Sequence, residues 1–146
     1  MVIGIIGENC TGKSTVAEHL KSKINAQVFT GKDYLRLAKS EEEAKRLFRE
    51  KLNAAVDGED IIFVIAENEL LKLLPDDAIR ILVTADIGVI KERFAKRMNG
   101  QLPEPVAKML EKKHGCFDSI EYDIHVDFGN GGEKACEEAM NQLNIG

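Results

Sequence analysis

Five short stretches of the chain have the apolar or alternating pattern of β-strands. Mostly apolar runs predict strands buried on both faces of a sheet, whereas alternation of apolar and polar residues predicts a strand nearer an edge. The predicted strands are residues 2–6, 26–30, 61–66, 78–84 and 122–128, the last of them alternating. Because residues 61–66 are apolar on both faces, we expect that strand at the centre of a parallel sheet.

Amphipathic stretches separate these strands, and their apolar residues recur at helical spacing. The first predicted helix begins at Ser14, and Asp86 is expected to cap a later one. The predicted helices cover residues 14–24, 32–56, 69–74, about 87–98, about 104–114 and 133–143. Strands that alternate with helices predict an α/β fold, a three-layer α/β/α sandwich with about five mostly parallel strands.

Residues 7–14 read Gly-Glu-Asn-Cys-Thr-Gly-Lys-Ser, a complete G-x-x-x-x-G-K-[ST] phosphate-binding loop between a predicted strand and a predicted helix. The backbone N–H groups of such a loop curl around a triphosphate, and the helix offers its positive end. We therefore expect the loop to bind ATP. The predicted ATP contacts are Gly7, Asn9, Cys10, Thr11, Gly12, Lys13, Ser14 and Thr15, the last of which caps the helix in an alternative interpretation.

Side chains of the loop suggest chemistry as well as binding. Lys13 places a compact charge on the β- and γ-phosphates, and the Ser14 hydroxyl is suited to Mg²⁺. Glu67 follows a predicted strand, where it either holds Mg²⁺ through water or caps the next helix. Glu8 is expected to turn outward, because an inward carboxylate would repel the phosphates. Cys10 is a small neutral filler or a thiol of lowered pKa.

Length and composition limit the remaining possibilities. The 146 residues, with 44% hydrophobic and 31% charged side chains, suffice for one domain spanning 1–146. The net charge of −5 and the lack of a dense basic block argue against a nucleic-acid partner. The longest apolar run, 61–66, is too short to cross a membrane. Three cysteines without metal-site spacing predict reduced thiols in a cytoplasmic protein. We expect this protein to be a monomer or a homodimer.

Several stretches beyond the loop resemble the small P-loop kinases of the nucleoside monophosphate kinase class, which includes adenylate, cytidylate and shikimate kinases. Residues 30–36, Thr-Gly-Lys-Asp-Tyr-Leu-Arg, resemble the T-G-D-x-L-R stretch of adenylate kinases. Residues 81–86 look like the fourth strand of cytidylate kinases, and 93–97 like the arginine pair that enters the lid and flanks ATP. Residues 122–127 are similar to the last strand of the class.

The resemblance implies where each substrate lies. An acceptor-binding region is expected over about 31–58 and a lid over about 93–114, although the segment 86–114 also reads as ordinary core helices. In the class, the arginine of the T-G-D-x-L-R stretch grips the acceptor's phosphate, which here is Arg36. The loop after the last strand holds adenine in the class, which places 129–131 near the base.

Four side chains have competing interpretations. Asp33 orients or deprotonates an acceptor hydroxyl, or else it caps a helix. Arg36 binds an acceptor phosphate, or else it lies on a helix surface. Arg93 and Arg97 are spaced i, i+4 and share a helix face. They either stabilise charge on the transferred phosphoryl group or form surface ion pairs.

These residues predict ATP- and Mg²⁺-dependent phosphoryl transfer to a small-molecule acceptor. Arg36 favours a nucleotide, whose phosphate is already a nucleophile, and Asp33 favours a hydroxyl such as that of a nucleoside. The expected acceptor is therefore a nucleotide or a nucleoside, with a slight preference for the nucleotide. The alternative is a nucleotide-binding regulatory or switch protein with weak ATPase activity. It draws on two departures from the class: a second pair of lid arginines is missing, and the acceptor-binding region is reduced.

Overall fold

A five-stranded sheet, in which every strand is parallel to its neighbours, organises the chain. The structure is a computed structural model that describes residues 1–127, 137–138 and 141–142. The strands are β1 (Val2–Ile6), β2 (Ala26–Thr30), β3 (Asp60–Ile65), β4 (Ile79–Thr84) and β5 (Ile124–Asp127). Their order across the sheet is β2-β3-β1-β4-β5, so the alternating strand β5 lies at an edge, as its pattern predicts.

Helical segments connect the strands. The α-helices are α1 (Lys13–Lys23), α2 (Glu41–Ala55), α3 (Ile87–Arg97) and α4 (Glu104–Lys113), and two 3₁₀ helices cover Asp33–Leu37 and Asn68–Leu73. The predicted loop at 129–132 and the helix at 133–143 fall largely outside the described residues. Within the described part of the chain, no helix combines the length and the apolar character that a membrane span requires.

Two apolar layers cover the faces of the sheet, because side chains alternate along each strand. Ile3 and Ile5 of β1 pack into a core with Val16 and Leu20 of α1. The opposite core contains Val2 and Ile6 of β1 together with side chains of α2 and of both 3₁₀ helices. This arrangement confirms the predicted α/β fold with helices on both faces of a parallel sheet.

The central strand is β1, whereas the run at 61–66 was expected there. That run forms β3, which lies between β2 and β1. It is paired on both edges and covered on both faces, and its residues from Ile61 to Ile65 are all buried. A strand next to the centre therefore experiences the same environment as the central strand, so apolar pattern alone does not separate the two positions.

The single helix expected over 32–56 is wrong. The chain instead forms the 3₁₀ helix Asp33–Leu37, passes through extended backbone at Ala38, and begins α2 anew. The Ser40 hydroxyl accepts a hydrogen bond from the Glu43 N–H at 3.2 Å and caps that new helix. This Ser-x-x-Glu spacing is a helix-start signal that competes with the continuous amphipathic pattern. The helix predicted at 69–74 is likewise a 3₁₀ helix, Asn68–Leu73.

Parallel pairing brings the carboxyl ends of the strands to one edge of the sheet. The Gly7 N–H, just after β1, donates to the Ile65 carbonyl of β3 at 3.1 Å. The Gly31 N–H, just after β2, donates to the Val64 carbonyl at 2.9 Å. In open α/β sheets, this edge is where ligands bind.

Gly7 is packed too tightly for any side chain, and this gives a first prediction. A Cβ at this position would collide with the Val83 carbonyl oxygen and lie 2.8 Å from Thr11 Oγ1. We expect Gly7→Ala to lower the free energy of unfolding by about 1–3 kcal/mol, because backbone must move to admit the methyl group. Chemical denaturation of the purified variant measures the change.

Gly88 provides the matched control. It lies in α3, and no heavy atom comes within 4 Å of the position that a Cβ would occupy there. Gly88→Ala should therefore raise the free energy of unfolding by up to about 1 kcal/mol, since alanine is the better helix former. Equal effects of the two substitutions would contradict the close approach at Gly7.

Candidate functional site

The loop between β1 and α1 has the backbone shape of an anion cradle. Cys10 and Gly12 both have positive φ, 65° and 105°, which turns successive peptide groups inward. Gly12 is the N-cap of α1 and supplies no side chain to cap its first turn. The N–H groups at the start of α1 are therefore available to a bound anion, whose charge the helix dipole favours.

A cavity of about 440 Å³ opens in front of this loop. Three parts of the chain line it: the phosphate-binding loop with the start of α1, the ends of β2 and β3, and α3. The lining residues are Asn9, Cys10, Gly12, Lys13, Ser14, Thr15, Thr30, Gly31, Val64, Ala66, Arg93 and Arg97. The structure thus brings most of the predicted loop residues and both predicted arginines of α3 to one cavity, whereas the predicted contacts Gly7 and Thr11 do not line it.

Lys13 is the cation at the base of the cavity. It is only 8% exposed, and its Nζ donates to the Glu8 carbonyl oxygen at 2.6 Å. The fully buried Thr11 donates its hydroxyl to the same carbonyl at 2.8 Å. Burial lowers the pKa of Lys13 to about 8, and the nearby charge of Arg97 lowers it as well. The site therefore holds a poorly solvated positive charge that a phosphate group would stabilise.

Two arginines of α3 line the same cavity as Lys13. Arg93 donates from Nη1 to the Cys10 carbonyl at 3.1 Å, so α3 is fastened to the loop itself. Arg97, one turn further, lines the same cavity and forms no hydrogen bond or ion pair with any residue that the structure describes. The i, i+4 spacing read from the sequence therefore places both guanidinium groups at the cavity.

The first turn of α1 offers hydroxyl groups to this cavity. Ser14 and Thr15 are exposed there, and the Ser14 hydroxyl has no partner among the described residues. In the described part of the chain, no group of three or more histidine, cysteine, aspartate or glutamate side chains could hold a metal ion. A hydroxyl with phosphates and water fits the hard, oxygen-seeking Mg²⁺, which rarely requires a cage made only of protein.

Glu67 lies beside the cavity and not on its wall. It lines a smaller neighbouring space of about 90 Å³, which shares Asn9 and Ala66 with the large cavity. Its side chain makes no capping hydrogen bond to the 3₁₀ helix that follows. The geometry therefore does not support the capping interpretation, and Glu67 is exposed at the border of the two spaces.

The predicted acceptor residues, Asp33 and Arg36, form an ion pair with each other outside the large cavity. Asp33 Oδ2 accepts a hydrogen bond from the Thr30 N–H at 3.0 Å and lies 3.5 Å from Arg36 Nη2. The Arg36 side chain is 80% exposed. Neither residue lines the large cavity, although Thr30, to which Asp33 is bound, does.

Glu8 has a role that its sequence position did not indicate. Its carboxylate accepts from the Gly115 N–H at 3.1 Å and pairs with His114 Nδ1 at 3.1 Å. The side chain is only 12% exposed, so it turns away from the phosphate cavity but not into solvent. These contacts join the loop to the end of α4 across more than a hundred residues. No local sequence signal announces such a pair.

Helices α3 and α4 form a small apolar cluster with the loop. Cys10, Ala85, Ile90 and Leu110 are its buried members. An ion pair between Lys91 and Glu111 also joins the two helices. The segment 86–114 therefore packs as core helices in this structure while it presents arginines to the cavity, and its movement as a lid stays a prediction.

No family model matches the sequence, and no curated protein matches it. Solved structures do. A sugar kinase from Janibacter sp. is 18% identical with a TM-score of 0.68, covering 99% of this chain and 94% of that one. A gluconokinase from Sinorhizobium meliloti is 13% identical with a TM-score of 0.64, covering 98% and 91%. Shikimate kinase from Aquifex aeolicus is 19% identical with a TM-score of 0.60, covering 99% and 96%. These likenesses confirm the fold of the small P-loop kinases.

The lowered pKa of Lys13 predicts how nucleotide binding depends on pH. Lysine attracts phosphate only when it is protonated, and in the free protein the proton is lost as the pH rises through about 8. The association constant for ATP should therefore fall about tenfold from pH 7 to pH 9. Isothermal titration calorimetry measures it. Lys13→Arg, which stays charged, should bind with little pH dependence, and an equal decline in that variant would assign the effect to another group.

The Glu8 contacts predict a stabilising role distinct from nucleotide binding. Glu8→Ala removes two hydrogen bonds to a mostly buried carboxylate and leaves the Gly115 N–H unpaired. We expect the free energy of unfolding to fall by roughly 1–3 kcal/mol in denaturant titrations. Glu18→Ala, on the exposed face of α1, is the control and should change it by less than about 0.5 kcal/mol. Indistinguishable variants would refute the role of Glu8.

Proposed function

We propose that this protein transfers the γ-phosphoryl group of ATP to a small-molecule acceptor in a Mg²⁺-dependent reaction. One observation carries the proposal. Lys13, Arg93 and Arg97 converge on a cavity that is also open to the ends of β2 and β3. A protein that only binds a nucleotide needs the loop and Lys13. Phosphoryl transfer also needs further cations around the γ-phosphate and space for a second reactant.

Binding of ATP is assigned to the loop. The N–H groups of Asn9, Cys10 and the residues up to Thr15 surround the phosphates, and Lys13 exchanges the Glu8 carbonyl for phosphate oxygens. Because Gly12 admits the turn at φ 105°, the backbone approaches the phosphates closely. Thr15 lines the cavity from the first turn of α1, which supports contact with the α-phosphate.

The Ser14 hydroxyl would hold Mg²⁺, with Glu67 as the carboxylate that reaches it through water. Ser14 lines the cavity, and its hydroxyl has no other partner among the described residues. Both observations support its role as a Mg²⁺ ligand. The position of Glu67 beyond β3, next to Ala66, supports an indirect contact and not a direct one. When bound, Mg²⁺ supplies charge neutralisation across the β- and γ-phosphates.

Arg93 and Arg97 would stabilise the charge that spreads over the transferred phosphoryl oxygens. Their contributions differ in kind. Arg93 is bound to the Cys10 carbonyl and so keeps α3 in register with the loop. Arg97 has a guanidinium without a partner among the described residues, next to the charge of Lys13. Such a pair of like charges costs free energy until an anion arrives, and a preorganised cation of this kind favours the transition state.

The acceptor would present a hydroxyl group. The acceptor end of the cavity consists of the uncharged Thr30, Gly31, Val64 and Ala66. Arg36, which a phosphate-bearing acceptor would require, is bound to Asp33 and points away into solvent. An acceptor that offers a hydroxyl group and carries no phosphate therefore suits this wall better than a nucleotide. The names of the similar structures, which mention a sugar, gluconate and shikimate, support the same class.

Asp33 would orient the acceptor hydroxyl or accept its proton. Its carboxylate is held by the Thr30 N–H at the border of the cavity, with one oxygen engaged. A hydroxyl is a poor nucleophile until a base is within hydrogen-bond reach, so the remaining oxygen has a use in this chemistry. In a switch protein, by contrast, Asp33 would serve only to shape the turn.

The deciding experiment measures ADP formation from ATP and Mg²⁺ with and without a panel of acceptors. Nucleosides, nucleoside monophosphates, sugars, gluconate and shikimate form the panel. We expect ADP formation to rise with one or more of the hydroxyl compounds and not with the monophosphates. Tight ATP binding without acceptor-dependent turnover would overturn the kinase proposal in favour of a nucleotide-binding switch.

Arg97→Ala gives the sharpest mutational prediction. We expect kcat to fall by at least about 100-fold with ATP affinity changed less than about threefold, because the guanidinium acts mainly in the transition state. Lys96→Ala is the matched control, since Lys96 is the preceding residue and its 76% exposed side chain pairs with Glu92. Turnover unaltered in both variants would remove Arg97 from the mechanism.

A further inference from the structure

The hydroxyl group of Tyr34 is buried and lacks a hydrogen-bond partner in the part of the chain that the structure describes. The residue is 0% exposed, and its ring stacks on Phe48 of α2 with the ring centroids 5.3 Å apart. A hydroxyl that is removed from water without a partner costs about 1–3 kcal/mol. Among the described buried side chains it is the only such polar atom, so the cost calls for a physical reason.

Tyr34 lines a second cavity, of about 210 Å³, between α2 and the two 3₁₀ helices. The other lining residues are Glu41, Lys45, Arg49, Glu69, Leu70, Lys72 and Leu73. None of them lines the large cavity that contains Lys13. The second cavity is therefore a separate space, with an aromatic and aliphatic floor and a charged rim.

The charges at this rim do not cancel. Glu41 lies 3.5 Å from Lys45, and Glu69 lies 3.9 Å from Lys32 outside the cavity. Each carboxylate is therefore matched by one ammonium group. Arg49 and Lys72 form no ion pair with any described residue. Two uncompensated cations thus line the same cavity as a tyrosine whose hydroxyl has no acceptor among the described residues.

We propose that this second cavity is a binding site for a small polyvalent anion, held by the Tyr34 hydroxyl and by Arg49 and Lys72. The hydroxyl donates to one anionic oxygen, and the planar guanidinium of Arg49 offers two parallel donors to others. Lys72 adds a point charge from the opposite wall. Phosphate and carboxylate groups share this chemistry, and the experiment below distinguishes them.

The site has a direct connection to the phosphoryl-transfer cavity. Tyr34 and Asp33 are adjacent in the same 3₁₀ helix, and Asp33 is bound to Thr30 on the wall of the large cavity. An anion bound to Tyr34 fixes the helix that carries Asp33. The second cavity does not depend on kinase activity, because the orphaned Tyr34 hydroxyl and the uncompensated Arg49 and Lys72 are present whatever the large cavity binds.

Tyrosine fluorescence tests the proposal at the residue itself. The chain has no tryptophan and two tyrosines, so Tyr122→Phe leaves Tyr34 as the only emitter. Inorganic phosphate and citrate are titrated into this variant at constant ionic strength. We expect a saturable change in emission, and the anion with the lower midpoint identifies the preferred oxygen group. The titration is repeated with the double variant Tyr122→Phe, Lys13→Ala, in which phosphate binding at the loop is weakened. The midpoint should be the same, which excludes an effect of phosphate bound at the loop.

Matched arginine variants test the site against general electrostatics. Arg49→Gln should raise the midpoint about tenfold or more, because a charged hydrogen-bond donor is lost. Arg46→Gln removes the same charge from the same helix, but Arg46 pairs with Glu43 and Glu50 and does not line this cavity. Its midpoint should stay within about twofold. Equal shifts in both variants, or no saturable change with either anion, would overturn the proposal.

Thermal unfolding gives a second and independent test. Without an added anion, Tyr34→Phe should leave Tm unchanged or higher, because it deletes a hydroxyl that has no partner among the described residues. With the anion at saturation, the unmutated protein should gain several degrees and Tyr34→Phe should gain little. A marked drop in the Tm of Tyr34→Phe without an anion would show that the hydroxyl already has a partner, and the site would then be refuted.

Discussion

The hydrogen bond from the Gly7 N–H to the Ile65 carbonyl holds the whole arrangement in place. It continues the parallel ladder between β1 and β3 by one residue beyond the end of β1, and it fixes where the phosphate-binding loop leaves the sheet. Gly7 then lies against Val83 of β4, the other neighbour of β1. The loop is thus seated between both neighbours of the central strand, and any residue with a Cβ would lift it from that seat.

The position of the loop brings positive charges of the site close together. The fold buries Lys13, whose pKa falls to about 8, and directs Arg97 towards it. Two positive charges in a poorly solvated space are unfavourable in the free protein. This unfavourable free energy makes the site selective for anions. When a phosphate binds, its oxygens would take the place of the missing water and of the Glu8 carbonyl that holds Lys13. The free protein is therefore poised for a polyanion.

Contacts distant in sequence hold α3 and α4 against the loop. Arg93 reaches the Cys10 carbonyl, and the end of α4 reaches the Glu8 carboxylate. An unpaired polar group is also found in the region between β2 and β3. There Tyr34 packs on Phe48, and its hydroxyl has no partner among the described residues. The cavity at Lys13 and the cavity at Tyr34 thus have one feature in common. In each, polar groups lack partners among the described residues, and a ligand would supply those partners.

The sequence by itself determined which stretches form strands and where the phosphate-binding loop lies, and it predicted the two arginines that line the first cavity. Apolar runs define buried strands, and the glycine and lysine spacing of 7–14 defines a phosphate cradle, because both depend on local residue identity. The i, i+4 spacing of Arg93 and Arg97 predicted a shared face for the same reason. The helix start at Ser40 and the i, i+3 contact between Asp33 and Arg36 are local features, although the continuous amphipathic pattern predicted one uninterrupted helix. Only the tertiary structure decided that β1 and not β3 is central. It alone revealed the Glu8 contacts and the orphaned Tyr34 hydroxyl, because these depend on which distant segments meet, and no local pattern records that.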